Sequence, residues 1–260
     1  MKAIYVKEPG RLEIEEIPRP KIKKSTEALV RIRAAGICGS DIAIYHGTNP
    51  MVVYPRIIGH EMTGIVEAVG SSVSRVVPGD RVIVEQVVGC GSCYPCRIGR
   101  ANVCSHLKVR GVTLDGGYQE YMVVEESALH KLPDHLELEE GILIEPMSIA
   151  FQVISRAEVN SQDSVLVYGS GAVGLSVIKV LRLTGAKIIA ADVTEEKLLE
   201  AKNCGADVTL RSDAPEFVQQ VRQTAKDGDG PSVARETAGI PGALAEIVKV
   251  VCNAGRITTL

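Results

Sequence analysis

Tryptophan is absent from this 260-residue sequence, and aromatic residues make up only 3% of it. The net charge is just −3, and no cluster of lysine and arginine forms a stripe that could follow a phosphate backbone. Both shortages argue against nucleic acid as a partner. No apolar run approaches the roughly 18 residues needed to span a bilayer, and no lipidation signal is present, so a membrane partner is not expected either. The opening stretch MKAIYVKEPGRLEIEE lacks both an apolar secretory core and a small-residue cleavage site. A soluble, cytoplasmic protein in a reducing compartment is expected, and disulfides are not.

What is present is apolar mass. Hydrophobic residues are 45% of the chain, enough for two ordinary cores at this length. The first half reads as strands: KAIYVKE, RLEIEEI, EALVRIRAAGI, GIVEAVG and DRVIVEQVV alternate or cluster β-branched residues between Pro/Gly breaks. From about Ser148 the rhythm changes. SIAFQVISRAEV has helical spacing, SVLVYG is a short buried strand, and GLSVIKVLRLTGA is a helix stopped at Gly185. KIIAAD is the next strand, and TEEKLLEAKNCGA is a helix opened at Thr194 by an imperfect capping pattern. DVTL, PSVARETAG and GRITTL supply three further strands. Repeated βα units imply a parallel, doubly wound sheet, so the reading is α/β with a mostly β domain over 1–147 and a parallel-sheet domain over 148–260.

Four of the seven cysteines fall within fifteen residues, Cys90, Cys93, Cys96 and Cys104, spaced C-x2-C-x2-C-x7-C in a lobe over about 86–106. A disulfide framework conflicts with the expected compartment. A redox C-x-x-C pair would leave two thiols unexplained. One zinc held by four thiolates fits the spacing best, ahead of a loop of free thiols.

A second pattern, VYGSGAVG, holds G-x-G-x-x-G at Gly169, Gly171 and Gly174, with Ala172 and Val173 between the last two. Alone it is weak evidence. Here it follows an apolar strand, opens a helix, and is followed eighteen residues after Gly174 by Asp192 at the end of the next strand. Gly169 permits the tight turn, Gly171 lets a pyrophosphate reach the backbone, and Gly174 lets helix and sheet approach. Asp192 accepts ribose hydroxyls and repels a 2′-phosphate, so NAD is expected over NADP, with Lys197 one helical turn on at the adenosine end.

The third set lies in AGICGSD and IIGHEMTGIVEAVG: Cys38, Ser40, Asp41, His60 and Glu61. A lone histidine in an apolar stretch is more often core than ligand, but a glycine-bracketed His-Glu together with a Cys-x-Ser-Asp turn favours a metal. Glu145, in the otherwise apolar LIEPMSIA, is a further carboxylate that needs a cation or donors if buried.

Taken in order, GHEMTGIVEAVG, the four-cysteine lobe, DGGYQEY, IEPMSIA and GSGAVG resemble the zinc-dependent medium-chain dehydrogenases over the whole chain. The likeness is closer to the polyol, sugar-acid and threonine branches than to the simple alcohol branch. It implies a GroES-like catalytic domain, a Rossmann domain, and a catalytic zinc in the cleft between them. By position, Cys38, His60 and Glu145 would hold that zinc and Glu61 would be an alternate ligand. Ser40 would take the alcohol proton, and Asp41 would orient His60. Cys90, Cys93, Cys96 and Cys104 would hold a structural zinc, with Arg97 and Arg100 offsetting its charge. The implied reaction is oxidation of a secondary alcohol by NAD; oxidation of the L-threonine type and an inactive zinc- and dinucleotide-binding fragment are the alternatives. Two departures stand out. Ala43 occupies a position where relatives often carry a histidine, leaving water or His46 for proton exit, and Arg235 places a charge in the fourth strand of the parallel sheet. The family also continues past the strand GRITTL, so the resemblance implies a truncated chain, and the dimer or tetramer expected of the family becomes doubtful for it.

Overall fold

The computed structural model describes residues 1–259; Leu260, at the end of the expected strand GRITTL, lies outside them. Two compact units divide between Glu145 and Pro146.

In the first unit, a five-stranded antiparallel sheet has the order Leu129–Lys131, Arg81–Val84, Met62–Val69, Glu27–Ala35, Tyr121–Glu125. Arg81–Val84 and Tyr121–Glu125 alternate in burial, and Val30, Met62, Val66, Val82, Val84 and Met122 form one apolar cluster. Lys2–Glu8 pairs with Arg11–Glu16 and with Arg56–Ile57 in a smaller antiparallel sheet. Val87–Val88 and Lys108–Val109 pair as a two-stranded neck, with Val88 opposite Lys108. This pairing closes the base of the loop that carries all four clustered cysteines.

In the second unit, five parallel strands stand in the order Val208–Arg211, Lys187–Asp192, Ser164–Tyr168, Val233–Glu236, Arg256–Thr258. All neighbours are parallel. In chain order within the unit this is 3-2-1-4-5, and the order reverses beside Ser164–Tyr168, where doubly wound sheets bind ligands. Both faces are covered, which explains why the central strands Ser164–Tyr168 and Lys187–Asp192 are buried along nearly their whole length. Val165, Val167, Ile188 and Ala190 pack on helices Ile144–Ala157, Ala172–Leu181 and Glu195–Asn203. Leu166, Tyr168, Ile189 and Ala191 pack on Phe217–Thr224 and Ala243–Val250. Thr194 precedes helix Glu195–Asn203 at the N-cap position, but its side chain makes no capping bond. Asp192 instead accepts the backbone N–H groups of Val193 and Thr194. These bonds shape the turn that leads into the helix and leave its own first-turn N–H groups uncapped. Among the described residues, no helix is long and apolar enough to cross a membrane.

Arg235 sits in the second strand from the sheet edge, 1% exposed, between Val167 and Thr258 in register. Its Nε and Nη2 have no partner among the described residues, and neither does Thr258 Oγ1 beside it. Burial pulls its pKa down to about 10, with Glu236 opposing that effect. A buried guanidinium with orphaned donors costs more than an apolar side chain of similar volume. Replacing Arg235 with Leu is therefore expected to stabilise the chain by about 1–3 kcal/mol in a urea melt. A loss of stability would show that the guanidinium is satisfied in solution.

Candidate functional site

The first donor set is built on a short helix. Cys38 caps helix Gly39–Tyr45, and its backbone N–H donates to Asp41 Oδ2 at 2.9 Å, fixing the sulfur at the helix entrance. Asp41 Oδ1 accepts the Gly59 N–H at 3.1 Å, which brings the His60 loop against the Cys38 loop. Gly59 has φ +91, and an added methyl would run into the Tyr118 ring. No other residue lets the chain turn there and aim His60 inward. Tyr118 Oη donates to the Gly36 carbonyl at 2.8 Å and lies 3.4 Å from Asp41 Oδ2.

Ligand atoms of Cys38, His60 and Glu61 all lie within 4.8 Å of one another. Glu145 lies outside this trio. Its Oε1 accepts a hydrogen bond from Gln86 Nε2 at 2.7 Å, yet it is close enough that His60 lowers, and Glu61 raises, its proton affinity. Burial is the larger cause, and the net direction for Glu145 is up. Glu61 is likewise raised, first by burial. For His60, burial disfavours the imidazolium, but Asp41 and Cys38 outweigh it and lift the pKa to about 10. Cys38 moves down, drawn first by His60 and opposed by burial, with help from the Ser40 N–H and hydroxyl. His60 Nδ1 is buried, 3.6 Å from Asp41 Oδ1, and has no hydrogen-bond partner among the described residues. Acidic donors gathered around a buried imidazole whose Nδ1 has no hydrogen-bond partner form a set that a divalent ion fits. Sulfur, imidazole and carboxylate together suit zinc with one position left open.

The second donor set is closed. Sγ atoms of Cys90, Cys93, Cys96 and Cys104 lie within 4.8 Å of one another, and Cys93 and Cys104 are 3.6 Å apart. A disulfide requires about 2.05 Å. Four sulfurs held ~2.3 Å from a zinc stand about 3.8 Å apart, which this spacing matches. Backbone N–H groups of Cys90 and His106 point at Cys104 Sγ, and that of Cys93 at Cys90 Sγ. Hydrogen bonds from Ser92 and the backbone bring Cys90 down to about 5, while partial burial and neighbouring thiols push Cys96 up to about 12. Four thiolates cannot share this space without a cation. Arg97 turns its Nη1 to the Ser92 carbonyl at 2.5 Å, so it braces the loop.

The glycine-rich turn forms the third element. Gly169 has φ +105, and a methyl on Gly174 would strike the Gly169 carbonyl oxygen. Nothing would meet a methyl on Gly171, which leaves open space over the N-terminus of helix Ala172–Leu181. Asp192 Oδ2 accepts the Ser170 N–H at 2.8 Å, joining the turn to the end of the next strand. A cavity of about 180 Å3 is lined by Gly169, Gly171, Asp192, Lys197, Ser212 and Ile240. Open backbone N–H groups at a helix start beside a strand-end carboxylate suit a dinucleotide. Ser212 and Ile240 escaped sequence reading because they come from later loops that only the sheet order brings here.

These features agree with known proteins. The alcohol dehydrogenase GroES-like domain model matches residues 24–134, and the zinc-binding dehydrogenase model matches 172–260. The starvation-sensing protein RspB of Escherichia coli K12 is 39% identical over all of this chain and 76% of its own length. Sorbitol dehydrogenase of Bacillus subtilis is 34% identical over 99% of this chain and 74% of its own. A crystal structure of an alcohol dehydrogenase (rspB) from E. coli CFT073, complexed with NADH, superposes with a TM-score of 0.92 at 39% identity, covering 100% of this chain and 75% of that one. The chain belongs to the zinc-binding alcohol dehydrogenase family.

Metal analysis of gently prepared protein should return two zinc ions per chain. Cys93→Ser should lower the melting temperature sharply, because a closed thiolate site contributes folding energy directly. His60→Ala should leave one zinc and a near-normal melt. A folded protein with at most one zinc would contradict the two-site reading. Zinc uptake at the first set should also release protons near neutral pH, since His60 must give up a proton held to about 10. Calorimetric titrations in buffers of different ionisation enthalpy would read that release.

Proposed function

We propose that this protein is a zinc-dependent oxidoreductase that transfers a hydride between NAD and a secondary alcohol of the polyol, sugar-acid or related hydroxy-compound class. The open donor set of Cys38, His60 and Glu61 carries this reading: three mixed ligands leave a position for a substrate oxygen, whereas the four-thiolate set leaves none. The sorbitol dehydrogenase relative and the NADH-bound structure support the substrate class and the cofactor.

When bound, zinc would supply Lewis-acid polarisation of the substrate hydroxyl, and NAD would accept the carbinol hydride. Cys38 and Glu61 each contribute one negative charge and His60 none, so the donors balance a divalent ion and present no net negative charge to the reacting hydroxyl. Asp41, 3.6 Å from Nδ1, stands at the edge of the imidazole and orients it. Glu145, tethered by Gln86, is the second carboxylate that can exchange with Glu61. The ligand roles suggested by resemblance are therefore reversed in this proposal. Ser40, whose hydroxyl contacts the Cys38 sulfur, takes the alcohol proton. Onward transfer uses water, because Ala43 offers no proton site and His46 lies six residues past Ser40, about 9 Å of helical rise away. At the cofactor, backbone N–H groups engage three of roughly four acceptor positions on Asp192. One remains for a ribose hydroxyl, and the charge repels a 2′-phosphate.

An NAD-reduction screen over polyols, sugar acids and L-threonine, on protein of verified intact mass, tests the proposal. Turnover of at least one polyol or sugar acid is expected. Activity with L-threonine alone would move the assignment to amino-acid oxidation, and NADH binding without any turnover would identify a non-catalytic zinc- and dinucleotide-binding protein.

The carboxylate roles separate in a second experiment. Glu61→Gln should lose the catalytic zinc to a chelator, while Glu145→Gln should keep it and slow turnover by about 10–100-fold. The opposite pattern would restore Glu145 as the ligand.

A further inference from the structure

Beside Asp192 lies a charged cluster that the site described above does not use. Arg211 ends the neighbouring strand Val208–Arg211 and pairs in register with Asp192. In parallel strands, residues so paired project from the same face, about 4.8 Å apart. A guanidinium at that point stands where the 2′-substituent of an adenosine ribose would meet Asp192, and together with Lys197, whose Nζ is 3.8 Å from Asp192 Oδ1, it would make a phosphate receptor. It is not free to act as one. Arg211 Nε and Nη2 donate to the two carboxylate oxygens of Asp213 at 2.9 and 2.7 Å, and Nη1 donates to Glu195 Oε1 at 3.3 Å. The bidentate edge, the part of arginine that matches phosphate, faces Asp213.

We propose that Asp213 is a specificity-determining residue of the dinucleotide site: by clamping Arg211 it withholds the guanidinium from a 2′-phosphate and reinforces the discrimination that Asp192 begins. The inference rests on the NAD reading above. Charge counting gives it a definite form. Asp192, Lys197, Glu195, Arg211 and Asp213 together carry one net negative charge. Neutralising Asp192 alone leaves the cluster neutral with its arginine still occupied. Neutralising Asp213 as well gives a positive cluster and frees the bidentate edge. The two acids should therefore act non-additively. Arg211 and Asp213 are 40% and 50% exposed, and exposed pairs add little to stability. The effect should appear in ligand choice and not in the melt.

Fluorescence titrations of the intact chain with NADH and NADPH at one fixed ionic strength test this. Asp192→Asn is preferred to Ala, because its amide oxygen still accepts the Val193 and Thr194 N–H groups and only the Ser170 N–H loses its acceptor. Asp192→Asn should raise the NADPH-to-NADH affinity ratio by about tenfold, and Asp213→Asn by less than about threefold. The double variant should exceed the product of the two by about fivefold or more. Adding Arg211→Ala to the double variant should remove that excess. An additive cycle, or an excess that survives Arg211→Ala, would overturn the clamp and leave the NAD reading standing. If the unmutated protein binds neither nucleotide or prefers NADPH, the NAD reading fails and the clamp fails with it.

Discussion

The first unit is organised around the burial of one carboxylate. Asp41 is 2% exposed and carries a charge that water cannot reach, so the surrounding chain must supply donors. The Cys38 and Gly59 N–H groups do so, and His60 stands opposite the same side chain. Because these donors come from segments about twenty residues apart, satisfying Asp41 folds both loops onto one point. That satisfaction gathers the Cys38, His60 and Glu61 donor atoms. In the function proposed above, a metal ion supplies the positive charge that these donors call for.

Elsewhere the same demand takes other forms. In the cysteine lobe, four sulfurs share a small volume while backbone N–H groups point at two of them, and a two-stranded neck fixes the loop ends. In the parallel sheet, Asp192 has both oxygens committed to backbone N–H groups and so anchors the glycine-rich turn to the second strand. Arg235 is the exception. Its guanidinium is buried without comparable compensation, and nothing in the proposed chemistry draws on it.

Much of this was legible because local chemistry imposes it. The glycines of VYGSGAVG announce a turn that other residues cannot make, and the strands read from KAIYVKE and from the apolar run KIIAAD coincide with Lys2–Glu8 and Lys187–Asp192. The helices Phe217–Thr224 and Ala243–Val250 were not read from the sequence. Each is only eight residues long, too short for its periodicity to stand out from the loops around it.

The sequence by itself determined which residues could act: the cysteine spacing, the His60-Glu61 pair, the glycine fingerprint and the acid that follows it, because these depend on residue type and short-range geometry. Tertiary structure decided how they are grouped. It brought the Glu61 carboxylate within 4.8 Å of the Cys38 and His60 ligand atoms and hydrogen-bonded Glu145 to Gln86, and it set Arg211 beside Asp192 with its bidentate edge already taken. Such choices follow from strand register and from how loops distant in sequence satisfy shared buried charges. Neither has a period or a spacing that a linear reading can register.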